Sequence, residues 1–302
     1  MLRHLQPAYD RWRLRRLLAS GIPSYLKLPF DYLATPGLQL PSEVQSKRKL
    51  VEHQRTAMLD SPLKQVSIYY SPKPESSGTH ATATLRPEHG EVMEFDIARI
   101  ASHTSISTYW GTFLHLLASS AASKNILELG TCAGISGCYL SSVPTCQNFW
   151  TIEASEGLSN IARKNLAAIS DKATVFNGLF DDVLDDLLPE LGEKKLDFVW
   201  IDGHHERVAT IHYFQRLIPH LSKGAIVLFD DVSWSADMRQ SWEELAHWPG
   251  FEYTFDLKTL KGLGIWSGGE TVPRFDFVAK PFGKIHLGDP QGWKTNASNQ
   301  HR

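Results

Sequence analysis

The chain has 302 residues, 42% of them hydrophobic, enough to bury one substantial core of roughly 200 residues with accessory segments around it. A formal charge of -2 at pH 7 supplies no broad positive field, which argues against a nucleic acid or an anionic membrane as partner. No run of about 18 apolar residues occurs, so no membrane span is expected. Cys132, Cys138 and Cys146 are odd in number and lack metal-ligand spacing, which fits reduced thiols in a cytoplasmic protein.

Residues 1–90 read as an accessory, helical N-terminal extension with a linker. Arg3, Arg11, Arg13, Arg15 and Arg16 alternate with Leu14, Leu17 and Leu18, a pattern open to an amphipathic helix that touches a membrane or carries a targeting signal. Asp10, Pro23 and Pro29 interrupt it early, so it better suits a helix packed on its own domain or on a second subunit of a homodimer. The stretch Tyr70-Ser-Pro-Lys-Pro-Glu-Ser-Ser-Gly-Thr79 is a loop by composition. Residues 91–283 read as one catalytic domain, and 284–302 as a polar C-terminal tail.

From about residue 95, short apolar runs alternate with helix-length segments. Residues 125–130, 149–153, 196–202 and 225–230 are continuous apolar strands, each closing on glycine or an acid, as strands buried on both faces do. Residues 206–221 carry Val208, Ile211, Phe214, Ile218 and Leu221 at helical spacing, which predicts a helix with that face inward. The alternation predicts a Rossmann-like α/β fold with a mostly parallel, seven-stranded sheet, helices on both faces and an N-terminal extension. Ligands of such sheets bind beyond the carboxyl ends of the strands. Thr259-Leu-Lys-Gly-Leu-Gly-Ile-Trp266 is expected as a last, antiparallel strand closing the sheet.

Leu127-Glu-Leu-Gly-Thr-Cys-Ala-Gly-Ile-Ser136 passes from strand to helix through Gly130 and Gly134, which allow a tight turn and bare main chain against a ligand. The GxxxG spacing lacks the third glycine of a dinucleotide loop. Glu128, two residues ahead, would repel a pyrophosphate but pair with a cationic amino acid or sulfonium. The turn therefore suits S-adenosylmethionine better than NAD, with Thr131 and Ser136 beside it. Glu153 ends the next strand, where such folds set a carboxylate against ribose hydroxyls. Asn177-Gly-Leu-Phe-Asp181 follows a further strand and offers Leu179 or Phe180 to an adenine ring.

Residues 95–283 resemble the class I methyltransferases, in particular small-molecule O-methyltransferases of the catechol and caffeoyl-CoA type. Glu128-Leu-Gly-Thr-Cys-Ala-Gly-Ile-Ser136 resembles their first motif, ELGTxxGxS. Ser105-Ile-Ser-Thr-Tyr-Trp-Gly-Thr-Phe-Leu114 resembles the preceding SPxxGxLL segment without its proline, and the resemblance implies that it covers the methionine part of the donor.

Asp202 opens Asp202-Gly-His-His-Glu206, and Asp230-Asp231 follow the next strand. Clustered carboxylates need a cation or protons, and hard oxygen ligands suit Mg²⁺ or another divalent ion, which would lower the pKa of a substrate hydroxyl. The resemblance implies Asp202, Asp230 and Asp231 as metal ligands. It also implies His205 as general base, in an Asp-Gly-x-His arrangement resembling metal-dependent natural-product O-methyltransferases, with Asp202 beside it in the catalytic set. Histidine can take a hydroxyl proton near neutral pH. A structural alternative is that Asp202 and His205 cap the helix starting near Glu206. Trp234 is either a substrate wall or core, and Tyr109 and Trp110 either line the donor pocket or brace a helix.

The expected activity is methyl transfer from S-adenosylmethionine to a hydroxyl of a small molecule, assisted by His205 and a divalent cation. The alternatives are an NAD(P)-dependent oxidoreductase and a binding module that keeps the cofactor fold without turnover.

Overall fold

The computed structural model describes residues 6–70, 91–257, 260–270 and 274–277. Most of the composition-defined loop at 70–79 and the tail at 284–302 lie outside the described residues. The chain forms two compact units, Gln39–Gly192 and Met1–Leu38 together with Glu193–Arg302.

In the unit spanning 39–192, helix α3 (Ser42–Leu59) precedes an antiparallel hairpin, β1 (Gln65–Tyr70) with β2 (Glu91–Asp96). This pairing, across the expected boundary at residue 90, was not read from the sequence. A short helix, α4 (Ile97–Arg99), and a π turn over Ile100–Thr104 lead to α5 (Thr108–Ser120). All residues of α5 from Gly111 to Ala118 are buried, so this helix lies within the unit, with its polar Thr112 and His115 hydrogen-bonded to the Thr108 and Tyr139 carbonyls. Strands β3 (Asn125–Leu129), β4 (Asn148–Glu153) and β5 (Ala173–Asn177) are parallel neighbours. The helices α6 (Ile135–Ser141), α7 (Glu156–Ala167) and α8 (Phe180–Glu190) follow them in turn.

The other unit begins with α1 (Gln6–Ala19) and α2 (Lys27–Ala34). Leu14 and Leu17 are buried, Arg13 Nη2 donates to the Phe277 carbonyl at 2.7 Å, and the Phe30 and Phe255 rings meet edge to face. The arginine-rich helix thus packs on its own chain. Strand β6 (Leu196–Ile201) is followed by α9 (Arg207–Leu217), β7 (Leu221–Phe229), α10 (Ala236–Ala246), β8 (Phe251–Leu257), β9 (Lys261–Trp266) and β10 (Phe275–Phe277). Within this unit the strand order is β10-β8-β9-β7-β6, with β9 antiparallel to both its neighbours. Phe214 anchors the core, stacked on Phe251 and edge-on to Phe229, Trp248 and Trp266.

The fold is Rossmann-like, a mostly parallel sheet of eight strands with helices around it. Three expectations are corrected. The sheet has eight strands, because Phe275–Phe277 adds a short strand parallel to β8. The last predicted strand does not close the sheet but lies between β7 and β8. Helix α9 stops at Leu217, and its buried residues are Thr210, Tyr213, Phe214 and Leu217, while Val208 is 66% exposed and Leu221 opens β7. The aromatic residues, with greater area to bury, set the phase of α9 one position away from the β-branched pattern.

Candidate functional site

Strand β3 ends at Leu129 and the chain turns through left-handed backbone into α6: φ is 101° at Gly130, 48° at Cys132 and 81° at Gly134. Gly134 is also pressed against α7, since a Cβ there would lie 3.0 Å from the Ala162 Cα. Cys132 is the strained member, a side-chain-bearing residue in a region that favours glycine. Glu153, the last residue of β4, holds it there. Its carboxylate accepts from the Cys132 N–H at 2.8 Å and the Ser155 N–H at 2.9 Å. The Ser155 hydroxyl and the Ala154 N–H also hydrogen-bond to this carboxylate, which stands at the strand end where Rossmann-class folds set an acid against ribose hydroxyls. Burial raises the Glu153 pKa, and the bonds from Ser155 and Cys132 oppose that rise.

Glu128 lies beneath the turn, fully buried. Thr151 Oγ1 donates to its Oε2 at 2.6 Å, and Thr131 Oγ1 lies 2.5 Å from Thr151 Oγ1, so a hydroxyl chain ties the turn to β3 and β4. Its other oxygen, Oε1, has no hydrogen-bond partner among the described residues. Burial, with the Glu153 charge adding to it, pushes the carboxyl up to about 7, although Ser136 and Thr151 hydrogen-bond to it. A buried carboxyl with an orphaned oxygen is a group that a cationic ligand would satisfy. The turn thus fits S-adenosylmethionine on three observations: bare main chain at Gly130, the Glu153 carboxylate at the end of the neighbouring strand, and the orphaned oxygen of Glu128.

Beyond β4 and β5 lies a cavity of about 530 Å³, within the roughly 300–1,000 Å³ range of small-molecule sites, lined by Ser155, Glu156, Gly157, Gly178 and Leu179. Of the two residues expected against an adenine ring, Leu179 lines it and Phe180 does not; Phe180 opens α8. The hairpin contributes Ser67 and Val92 to its wall, a role for residues before 96 that no motif announced. The segment resembling the donor-covering motif is braced by α3, because Arg55 donates to the Ala101 carbonyl at 2.6 Å and the Ile106 carbonyl at 2.5 Å. Glu52 pairs with Arg55 and accepts from Tyr139 Oη at 2.7 Å. Tyr109 and Trp110 are half-buried in the first turn of α5, edge to face with each other.

In the other unit, Asp202 follows β6, and Asp230 and Asp231 follow β7. His205 Nε2 stands 3.9 Å from both Asp202 Oδ1 and Asp231 Oδ2. His204 turns instead to Tyr213 Oη at 3.2 Å. Both loops carry left-handed residues, His204 at φ 52° and Asp231 at φ 49°. The capping alternative is corrected: Glu206 is the N-cap of α9 without a side-chain cap bond, and Asp237 Oδ2 accepts from the Arg207 N–H at 2.7 Å. Trp234 is 38% exposed on the turn after β7 and is not core.

One residue of this rim was missed. The side chain of Lys261, the first residue of β9, is nearly buried, pairs with Asp230 Oδ1 and stands 4.9 Å from the Trp200 ring centroid. Burial alone would raise the Asp230 pKa, but Lys261 outweighs it and holds that carboxyl below its ordinary value. Burial and then the Asp230 charge push Asp202 well up, and the same two causes raise Asp231. Asp202, Asp230 and Asp231 do share one rim, yet the donor set does not fit a divalent ion as arranged. Asp230 already carries an ammonium, and among the described residues no group of three or more His, Cys, Asp or Glu is set to hold a metal.

A parallel sheet whose first strand–helix turn is hinged on glycine and clasped by the acid of the next strand defines a nucleoside-cofactor fold of the Rossmann class. Within it, residues 127–232 match the family profile described as a methyltransferase domain. The chain is 31% identical over 131 residues to a catechol O-methyltransferase of Niastella koreensis, covering 42% of this chain and 58% of that protein. To a catechol O-methyltransferase of Mycobacterium tuberculosis it is 31% identical over 140 residues, covering 45% and 59%. The match thus spans less than two thirds of the length of these relatives. A solved O-methyltransferase of Bacillus cereus in complex with SAH aligns at TM-score 0.49 and 20% identity, over 78% of this chain and 96% of that one. No described helix is long and apolar enough to cross a membrane.

Proposed function

We propose that this chain transfers a methyl group from S-adenosylmethionine to a hydroxyl of a small molecule. The observation that carries the reading is the strained turn at Cys132, clasped by Glu153 above the buried Glu128. Its support is the methyltransferase-domain match, which covers that turn and both aspartate loops. The bound sulfonium supplies an already activated methyl group, so the protein's task is chiefly positioning and proton removal.

Glu153 holds the ribose, the main chain from Gly130 to Gly134 accommodates the amino-acid end, and Leu179 packs against the base. The acceptor hydroxyl gives its proton to His205 Nε2, which stands 3.9 Å from a carboxylate oxygen of each of Asp202 and Asp231. The half-exposed Trp234 offers an apolar surface for an aromatic acceptor. The names of the matched relatives make vicinal aromatic diols the first acceptors to try.

The test is release of S-adenosylhomocysteine from S-adenosylmethionine by purified protein over a panel of hydroxylated aromatics. Acceptor-dependent release that His205→Ala abolishes supports the reading. Binding of the donor with no release for any acceptor would make the chain a binding module, and binding of NADH in its place would make it an oxidoreductase.

A further inference from the structure

The acidic rim raises a question of charge balance that the resemblance to metal-dependent O-methyltransferases would answer with a divalent ion, and this chain answers it differently. Strands β7 and β9 run antiparallel with Phe229 opposite Gly262, which brings Lys261 to the level of Asp230. The lysine side chain is 6% exposed and the Asp230 side chain 11%, so the pair is shielded from water. Asp230 Oδ1 also accepts from the Asp231 N–H at 2.7 Å, and the ammonium lies over the Trp200 ring, whose face attracts a cation. A dication bound through Asp230 would have to displace this ammonium or sit beside it. Displacement would leave a buried charge without a partner, and adjacency would set like charges in contact.

We propose that Lys261 is the resident cation of this rim. It balances Asp230 from within the chain, and the rim takes no divalent ion. Its catalytic consequence, proton removal by His205 without metal, rests on the proposed methyl transfer; the exclusion of metal does not. Lys261 is thus a positioning residue, fixing the carboxylate between the two strand-end loops.

The experiment is a Mn²⁺ titration of the full chain, followed by the electron paramagnetic resonance signal of the free ion. The wild type is expected to leave that signal unchanged through the millimolar range. Lys261→Gln, checked for folding by circular dichroism, removes the charge and is expected to bind Mn²⁺ on the order of tenfold more tightly or better, an affinity that Asp230→Asn then removes. Stoichiometric Mn²⁺ binding by the wild type overturns the proposal, and so does a folded Lys261→Gln protein as indifferent to Mn²⁺ as the wild type. Should that variant not fold, the wild-type titration alone decides. In parallel, turnover that is equal in EDTA and in Mg²⁺ supports the catalytic consequence, and turnover lost in EDTA and restored by Mg²⁺ overturns it. Absence of turnover with every acceptor would refute methyl transfer while leaving the Mn²⁺ result standing.

Discussion

Replacing Glu128 with glutamine probes the electrostatics of the turn directly. The carboxyl is fully buried, and burial followed by the Glu153 charge moves it from 4.5 to about 7. Between those two values the folded protein holds a proton that the unfolded chain has released. Stability from this group is therefore complete below 4.5 and is lost as the pH rises through 7. The difference, 7 − 4.5 = 2.5, corresponds to about 3 kcal/mol at roughly 1.36 kcal/mol per pH unit. A glutamine cannot ionise and keeps an acceptor for Thr151, so the Glu128→Gln variant should gain on the wild type by up to that amount across the interval. Urea unfolding of both proteins at a series of pH values reads the difference, and the other titrating groups cancel. A stability difference constant to within about 0.5 kcal/mol over the whole range would show that Glu128 is not held protonated by its burial.

Gly134→Ala should cost about 1–2 kcal/mol from the left-handed backbone alone, and more from the 3.0 Å approach to Ala162, as read by urea unfolding; an unchanged midpoint would contradict the turn geometry. Glu153→Gln sets an amide NH₂ against one of two backbone N–H donors, so stability should fall by about 1–3 kcal/mol and affinity for S-adenosylhomocysteine should fall with it. Arg55→Met strands the Ala101 and Ile106 carbonyls, and faster amide exchange over residues 100–107 is the expected signature. His205→Ala should lower turnover by roughly 10²–10⁴-fold while leaving S-adenosylhomocysteine affinity as it was.

The parallel strands were legible because strands buried on both faces read as unbroken apolar runs, and the turn because its glycines and acids sit at strand ends. Helix α9 was misphased where Val208 and Ile211 imitated a core face that Thr210, Tyr213 and Leu217 provide together with the expected Phe214. The β1–β2 hairpin pairs Gln65 with Asp96 and Tyr70 with Glu91, and no local pattern encodes pairing over such a separation. Lys261 did leave a signal: a charge opening a strand whose six residues are all buried requires a partner, and the search for that partner leads to Asp230. The Asp202–His205 geometry was anticipated, but its electrostatics were not, since the charge that balances the rim comes from a strand read only as an edge element.

The central claim is that the turn from Gly130 to Gly134, clasped by Glu153, binds the methyl donor. Isothermal titration of the wild type and of Glu153→Gln with S-adenosylhomocysteine tests it most directly. The account predicts one site per chain in the wild type, weakened at least about tenfold in the variant. No binding by the wild type, or equal affinity in the two proteins, would contradict it.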